Sequence, residues 1–188
     1  MPKTRLGALN SLYPMPTTLV GAMVDGRPNF LAVAHVGIMD HTTVSLGLNK
    51  VHYTNAGIKE NGTFSVNIPS MDLVEKTDYC GLVSGRNADK ASLFDVFYGN
   101  LVTAPMIREC PVNMECRLVQ ALEFPKHDIF IGEVVETWCD DAVLEAGRPD
   151  PGKIRPLLFS MHDKRYYALG PVLAEAWSAG QSLKKTAD

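Results

Sequence analysis

The chain has 188 residues, 46% of them hydrophobic, and a formal net charge of −3, which suits one domain with a real core. Its cations are scattered, with no basic stripe interleaved with aromatics, so the expected partner is a small molecule and not nucleic acid. No apolar run approaches bilayer length and the first ten residues lack the apolar core of a signal peptide, so a soluble, cytoplasmic protein without membrane contact is expected.

Thr17 to Val24 reads as a strand, Asp25-Gly26 as a hairpin turn and Asn29 to His35 as the returning strand. His35, Asp40 and His41 could be imagined as a metal set, but a loop bearing two histidines is more often simply polar, and no metal is expected. Val44 to Leu48 is the next strand. His52-Tyr53-Thr54-Asn55 then leads into a short helix-like segment closed by Gly62, with Thr54 or Asn55 as its N-cap. A helix N-terminus offers unpaired N–H groups and a positive dipole, so a phosphate beside Thr54 would complement it.

Phe64 to Ile68 alternates until Pro69 stops it. Asp72 with Glu75 three residues later reads as a capping box for a helix from Asp72 to Cys80, ended by Gly81. Met71, Val74 and Tyr79 are expected to be core contacts of that helix. The next stretch, Ser84-Gly85-Arg86-Asn87-Ala88-Asp89-Lys90, packs a hydroxyl, a permissive glycine and two cations into seven residues. That is phosphate-clamp chemistry: Gly85 at positive φ would turn backbone N–H groups inward, Ser84 would donate, and Arg86 and Lys90 would supply charge. A solvated basic turn is the other reading of an isolated Ser-Gly-Arg. Asp89 to Asp95 is a third short helical candidate.

Asn113 to Phe124 and Asp128 to Trp138 form the longest predicted hairpin, turning at Pro125-Lys126-His127. Asp140 to Pro156 reads as a Pro/Gly-rich surface excursion, followed by strands at Leu157 to Ser160 and Tyr166 to Leu169. The tail carries Trp177, which either packs within the chain or covers a partner subunit. Cys80, Cys110, Cys116 and Cys139 include no Cys-x-x-Cys pair and are expected as reduced, mostly buried thiols. The number of strands predicts a mainly β, barrel-like fold. No Ser-His-Asp group or carboxylate pair calls for hydrolase chemistry.

Taken in order, Tyr13-Pro14-Met15-Pro16, Arg27-Pro28-Asn29-Phe30, His52-Tyr53-Thr54, Phe64 to Pro69, Asp78-Tyr79-Cys80-Gly81 and Ser84-Gly85-Arg86 with Lys90 resemble the flavin reductase-like, or flavoredoxin, family. Pro111 to Cys116, His127 before Phe130-Ile131-Gly132-Glu133-Val134, and Tyr166 to Gly170 continue the likeness. An ordered set of motifs is more specific than any one of them. The resemblance implies a single domain over 1–188: an FMN-binding split β-barrel of Greek-key type with a few short helices over 10–170, and a C-terminal tail over 171–188. It also implies a homodimer with the flavin near the subunit interface.

By the same resemblance Thr54, Ser84 and Lys90 hold the FMN phosphate, Leu48 and Asn49 lie near the ribityl chain, Asn29, Ala34 and His35 lie along the ring slot, and His52, Gly85 and Arg86 are further cofactor-binding candidates. His127, near the ring or its access side, is the candidate catalytic residue. Donors beside the pyrimidine edge of a flavin favour its reduced, anionic state, while hydride chemistry belongs to the cofactor. The implied activity is a reductase carrying electrons from NADH or NADPH through FMN to free flavin, for a partner oxygenase, or to another acceptor. With no Gly-x-Gly-x-x-Gly motif present, a nicotinamide would stack only briefly on the flavin. The alternatives are a non-enzymatic electron carrier reduced by a protein donor, and a binding module that has lost redox function. This chain departs from many relatives in carrying His35 where they have an aromatic residue, and Met39-Asp40-His41-Thr42-Thr43 where they have a Pro-Pro pair, so its ring contacts and second substrate are expected to differ most.

Overall fold

The structure, a computed structural model, describes residues 1–184. In chain order the strands and helices are β1 (Met15–Pro16), β2 (Thr18–Val24), β3 (Arg27–Val33), β4 (Val36–Asp40), β5 (Thr43–Asn49), α1 (Thr54–Asn61), β6 (Thr63–Ile68), α2 (Val74–Leu82), β7 (Val96–Phe97), β8 (Met106–Ile107), β9 (Val112–Glu123), β10 (His127–Cys139), β11 (Leu144–Glu145), β12 (Arg148–Pro149), α3 (Pro151–Ile154), β13 (Leu158–Ser160) and β14 (Arg165–Tyr167). Seven strands form one antiparallel sheet in the order β3-β2-β6-β9-β10-β5-β4, and β1-β13-β14 form a small second sheet. The large sheet curls, its edge strands β3 and β4 joined through Ala34-His35, and the Gly47 N–H of β5 donates to the His35 carbonyl at 2.8 Å, extending the β4–β5 pairing into that junction. This mainly β architecture agrees with the reading of the sequence. Among the described residues no helix is long and apolar enough to cross a membrane.

The interior of the curl holds Val20, Leu31, Val33, Leu46, Leu48, Ile58, Phe64, Val66 and Phe130. A second cluster on the outer face of β2 and β3 joins Leu19 and Phe30 to Cys80, Ala91, Ile107 and Cys110. β2 is therefore covered on both faces, which is why its sequence is a continuous apolar run and not an alternation. Each fully buried aliphatic or aromatic side chain contributes about 1.5–3 kcal/mol. Cys80, Cys110 and Cys116 are buried free thiols, and burial pushes the thiols of Cys80 and Cys116 up to about 11 and about 12.

The β2–β3 turn uses Asp25 and Gly26 at φ 50° and 72°, the left-handed geometry that a two-residue hairpin of right-twisted strands requires. α1 ends as expected at Gly62, whose φ is 63° and whose N–H donates to the Ile58 carbonyl. Its start differs from expectation. Tyr53 precedes the helix without a side-chain cap, because the two candidate caps are used elsewhere: Thr54 accepts a bond from Asn29 at 2.8 Å, and Asn55 donates to the Asn49 carbonyl at 3.1 Å. Gly57 lets α1 press against β2, where an added Cβ would strike the Met23 carbonyl oxygen and stand 2.8 Å from Val24 Cγ2. This close approach fixes the height of Thr54 above the sheet.

The expected helix from Asp72 begins as a single 3₁₀ turn, Met71–Leu73, before α2, with no capping box at its start. Asp72 instead forms a two-pronged pair with Arg155 at 3.1 and 3.2 Å. Gly81 lies inside α2, which runs to Leu82. Of its expected core contacts Met71 and Val74 are half-buried and Tyr79 is exposed, while Thr77 and Cys80 face inward. The third helical candidate is only the 3₁₀ turn Ala91–Leu93. Val36–Asp40, read as part of a polar loop, is strand β4 paired with β5. It is an edge strand with Ile38 and Met39 exposed, so alternation does not mark it.

Candidate functional site

Two connected cavities open between the end of the barrel, α2 and the small sheet. The larger, about 420 Å³, is walled by Ala34, His35, Leu48, Asn49, His52 and His127 on the barrel side, and by Tyr13, Thr17, Asp78, Phe159 and Tyr166 on the other. The smaller, about 210 Å³, is walled by Thr54, Val83, Ser84, Gly85 and Lys90. His52, Gly81 and Leu82 line both. A flat group with a short tail ending in an anion fits this outline.

Lys90 dominates the smaller chamber. Its side chain enters from the turn after α2, only 2% exposed, and its Nζ donates to the Cys80 and Val83 carbonyls, both at 3.1 Å. An ammonium has three N–H donors, so one remains. No carboxylate lies within ion-pair distance of it among the described residues, and burial lowers its pKa from the ordinary lysine value. Carbonyls at a helix C-terminus ease a cation into the interior, but they carry only partial charge.

Thr54 and Asn29 complete the chamber as a pair. Asn29 Nδ2 donates to Thr54 Oγ1 at 2.8 Å, which leaves the threonine hydrogen free to donate in turn. Asn29 Oδ1 is buried without a partner. It stands against Gly85, where any Cβ would collide with it and would come within 2.8 Å of Tyr53 Cδ1. Gly85 is thus required for close approach, and its φ is not positive, contrary to the expectation of a left-handed nest. Arg86 is also placed differently. Exposed, it donates to the Val51 carbonyl at 3.4 Å and stacks 5.2 Å from the Tyr53 ring centroid, outside the chamber wall. Asn29 stands behind Thr54 and does not line the larger chamber, where it was expected.

The larger chamber gathers three imidazoles. Antiparallel pairing of β10 with β5 puts His127 opposite Asn49, and the ring centroids of His35 and His127 are 6.1 Å apart. His35 Nε2 and the Tyr13 hydroxyl are 2.7 Å apart. Burial first, then His127, lowers the pKa of His35; burial, then Lys90 and His127, lowers that of His52. Both are neutral at pH 7, able to donate one hydrogen bond each without adding charge. Tyr13, Thr17, Asp78 and Tyr166 were not singled out as site residues from the sequence. Only their membership of the ordered motifs marked three of them, and Thr17 carried no signal.

The model of the flavin reductase like domain matches residues 10–170. Among solved structures, flavoredoxin from Methanosarcina acetivorans is 46% identical, with a TM-score of 0.95 over 98% of this chain and 100% of that one. Flavoredoxin of Desulfovibrio vulgaris (Miyazaki F) is 39% identical, with a TM-score of 0.89 over 96% and 100%. An uncharacterized protein of Archaeoglobus fulgidus is 32% identical over 146 residues, covering 76% of this chain and 81% of its own.

A buried ammonium without a counter-charge makes a prediction about stability. Because the folded pKa of Lys90 lies below the unfolded value of about 10.4, the unfolded chain binds more protons between the two values, and stability of the ligand-free protein rises with pH across that window. The penalty is fully present below the folded pKa. Lys90→Met should remove this rise and leave the ligand-free protein at least as stable at pH 7. Denaturant midpoints measured from pH 7 to 11 check it; an unchanged pH slope in the variant contradicts it.

Proposed function

The chain belongs to the flavin reductase-like domain family, and on that premise we propose that it binds FMN noncovalently and carries electrons from NADH or NADPH through it to free flavin or another acceptor. The observation that carries this reading is the buried Lys90 ammonium, with no carboxylate partner among the described residues, in a chamber that adjoins a larger one lined by imidazoles. The residues fit the cofactor: Lys90 and the Thr54 and Ser84 hydroxyls would hold a terminal phosphate, and the Gly85 cradle leaves room for it. His52 stands where the tail would pass from one chamber to the other, and Leu48 and Asn49 lie along that path.

The bound flavin would supply hydride and electron transfer. The residues of this chain would orient it and tune its charge. A neutral imidazole at His35 can donate to an electron-rich ring edge without the desolvation cost of a buried ion. His127, at the mouth of the slot, is proposed to contact the second substrate. A second reading is favoured by the likeness to two flavoredoxins: an electron carrier whose flavin is reduced by a protein donor.

FMN should be quenched on titration into the protein at micromolar concentration, and Lys90→Met should weaken binding by about 1.5–3 kcal/mol through loss of a charge-assisted contact. Anaerobic stopped-flow mixing of the FMN-loaded protein with NADH and NADPH then separates the readings. Bleaching of the flavin's visible absorption supports the reductase, and no bleaching with either nucleotide supports the carrier.

The same reading includes a homodimer with the flavin near the interface. Its support is the exposed apolar surface: Trp177 is 96% exposed, Leu173 95% and Ile38 87%. Trp177 and Leu173 lie in the tail and Ile38 on edge strand β4, all left exposed by their own barrel, and a second copy of the chain offers a self-complementary surface. Sedimentation velocity at micromolar concentration should give a dimer, weakened by truncation before Val172. A monomer that binds FMN at full stoichiometry contradicts a shared site.

A further inference from the structure

The wall of the larger chamber opposite the histidines has a polar set that the reading above does not use. Tyr166, on β14, donates its hydroxyl to Asp78 Oδ1 of α2 at 2.9 Å, and both residues line the chamber. The other carboxylate oxygen of Asp78 has no hydrogen-bond or ion-pair partner among the described residues. Thr17, between β1 and β2, lines the same chamber. It is 3% exposed, and its Oγ1 is buried without any partner. Rotation between the staggered χ1 wells redirects this hydroxyl.

Orphaned buried hydroxyls are uncommon and costly, and this one belongs to a residue that lines a cavity. Thr18, its neighbour, shows the ordinary solution, donating to the Val33 carbonyl at 3.0 Å. The donor and acceptor inventory of the wall is specific. Asp78 only accepts. Tyr166 has committed its single proton to Asp78, and burial followed by that bond raises its pKa, so toward the chamber it accepts too. Thr17 can donate or accept. The complementary ligand edge carries an N–H to meet the carboxylate and a C=O to meet the threonine.

We propose that Thr17, Asp78 and Tyr166 form an amide-recognition subsite in the ring chamber, reading a ligand edge in which N–H adjoins C=O. The subsite rests on the flavin and nicotinamide reading given above. Two groups within that reading have this edge, the imide of the flavin ring and the carboxamide of the nicotinamide. Thr17 and Asp78 set ligand specificity, and Tyr166 is a positioning residue that holds the carboxylate.

Thr17→Val and Asp78→Asn test it, since the first is isosteric and the second keeps an acceptor for Tyr166. In the full chain without ligand, Thr17→Val should melt higher than wild type, because it removes an unsatisfied buried hydroxyl. FMN affinity by fluorescence titration and the KM for NADH and NADPH are then measured on both variants. A loss of about tenfold or more in FMN affinity assigns the subsite to the flavin imide. A similar rise in KM with FMN affinity and kcat unchanged assigns it to the carboxamide. Variants that match wild type in both quantities overturn the subsite while leaving the flavin reading intact. Wild-type protein that takes up no FMN overturns both.

Discussion

An ammonium held inside a protein with two carbonyls and no carboxylate is an unfinished electrostatic arrangement. Removing a full charge from water costs several kcal/mol unless a partner of opposite charge compensates it. At Lys90 the fold supplies only partial negative charge from the carbonyls of Cys80 and Val83. Much of the surrounding structure serves to keep that position defined. α2 brings the two carbonyls, Gly85 clears the space beside Asn29, and Asn29 turns the Thr54 hydroxyl into a donor. Each of these makes the chamber a better place for an anion and a worse place for an apolar side chain.

The barrel converts this local arrangement into a slot of defined length. The pairing of β4 with β5 and of His127 with Asn49 gathers His35 and His127 in the larger chamber, with His52 at the junction with the Lys90 chamber. The small sheet β1-β13-β14 closes the other side and carries Tyr13, Phe159 and Tyr166 to it. One end of the slot therefore has the Lys90 ammonium, and the other has imidazole donors, of which His35 is held below the ordinary histidine pKa by burial. That polarity distinguishes a phosphate from a ring, and it arises from backbone topology as much as from side-chain identity.

Much of the fold was legible because alternation and turn chemistry are local. Asp25-Gly26 marked its hairpin through the positive φ that only such residues adopt readily, and the strands flanking it followed. β4 escaped because an edge strand with both faces partly in solvent has no pattern to read. The start of α2 was misread because Asp72 has a stronger partner in Arg155, distant in sequence, than in the backbone next to it. The clamp segments Thr54 and Ser84 to Lys90 could be named from residue chemistry, but their convergence could not. Thr17, Asp78 and Tyr166 come from the start, the middle and the end of the chain and line one chamber only in the folded barrel, so no spacing could have joined them.

The central claim is that Lys90 serves the phosphate of a bound flavin and not the integrity of the fold. Parallel titrations of FMN and riboflavin into wild type and Lys90→Met address it directly, because the two ligands differ by that phosphate alone. The account predicts that wild type prefers FMN by at least about tenfold, that the preference collapses in the variant, and that riboflavin affinity is the same in both proteins. A variant that loses both ligands equally, or that keeps its preference for FMN, would contradict it.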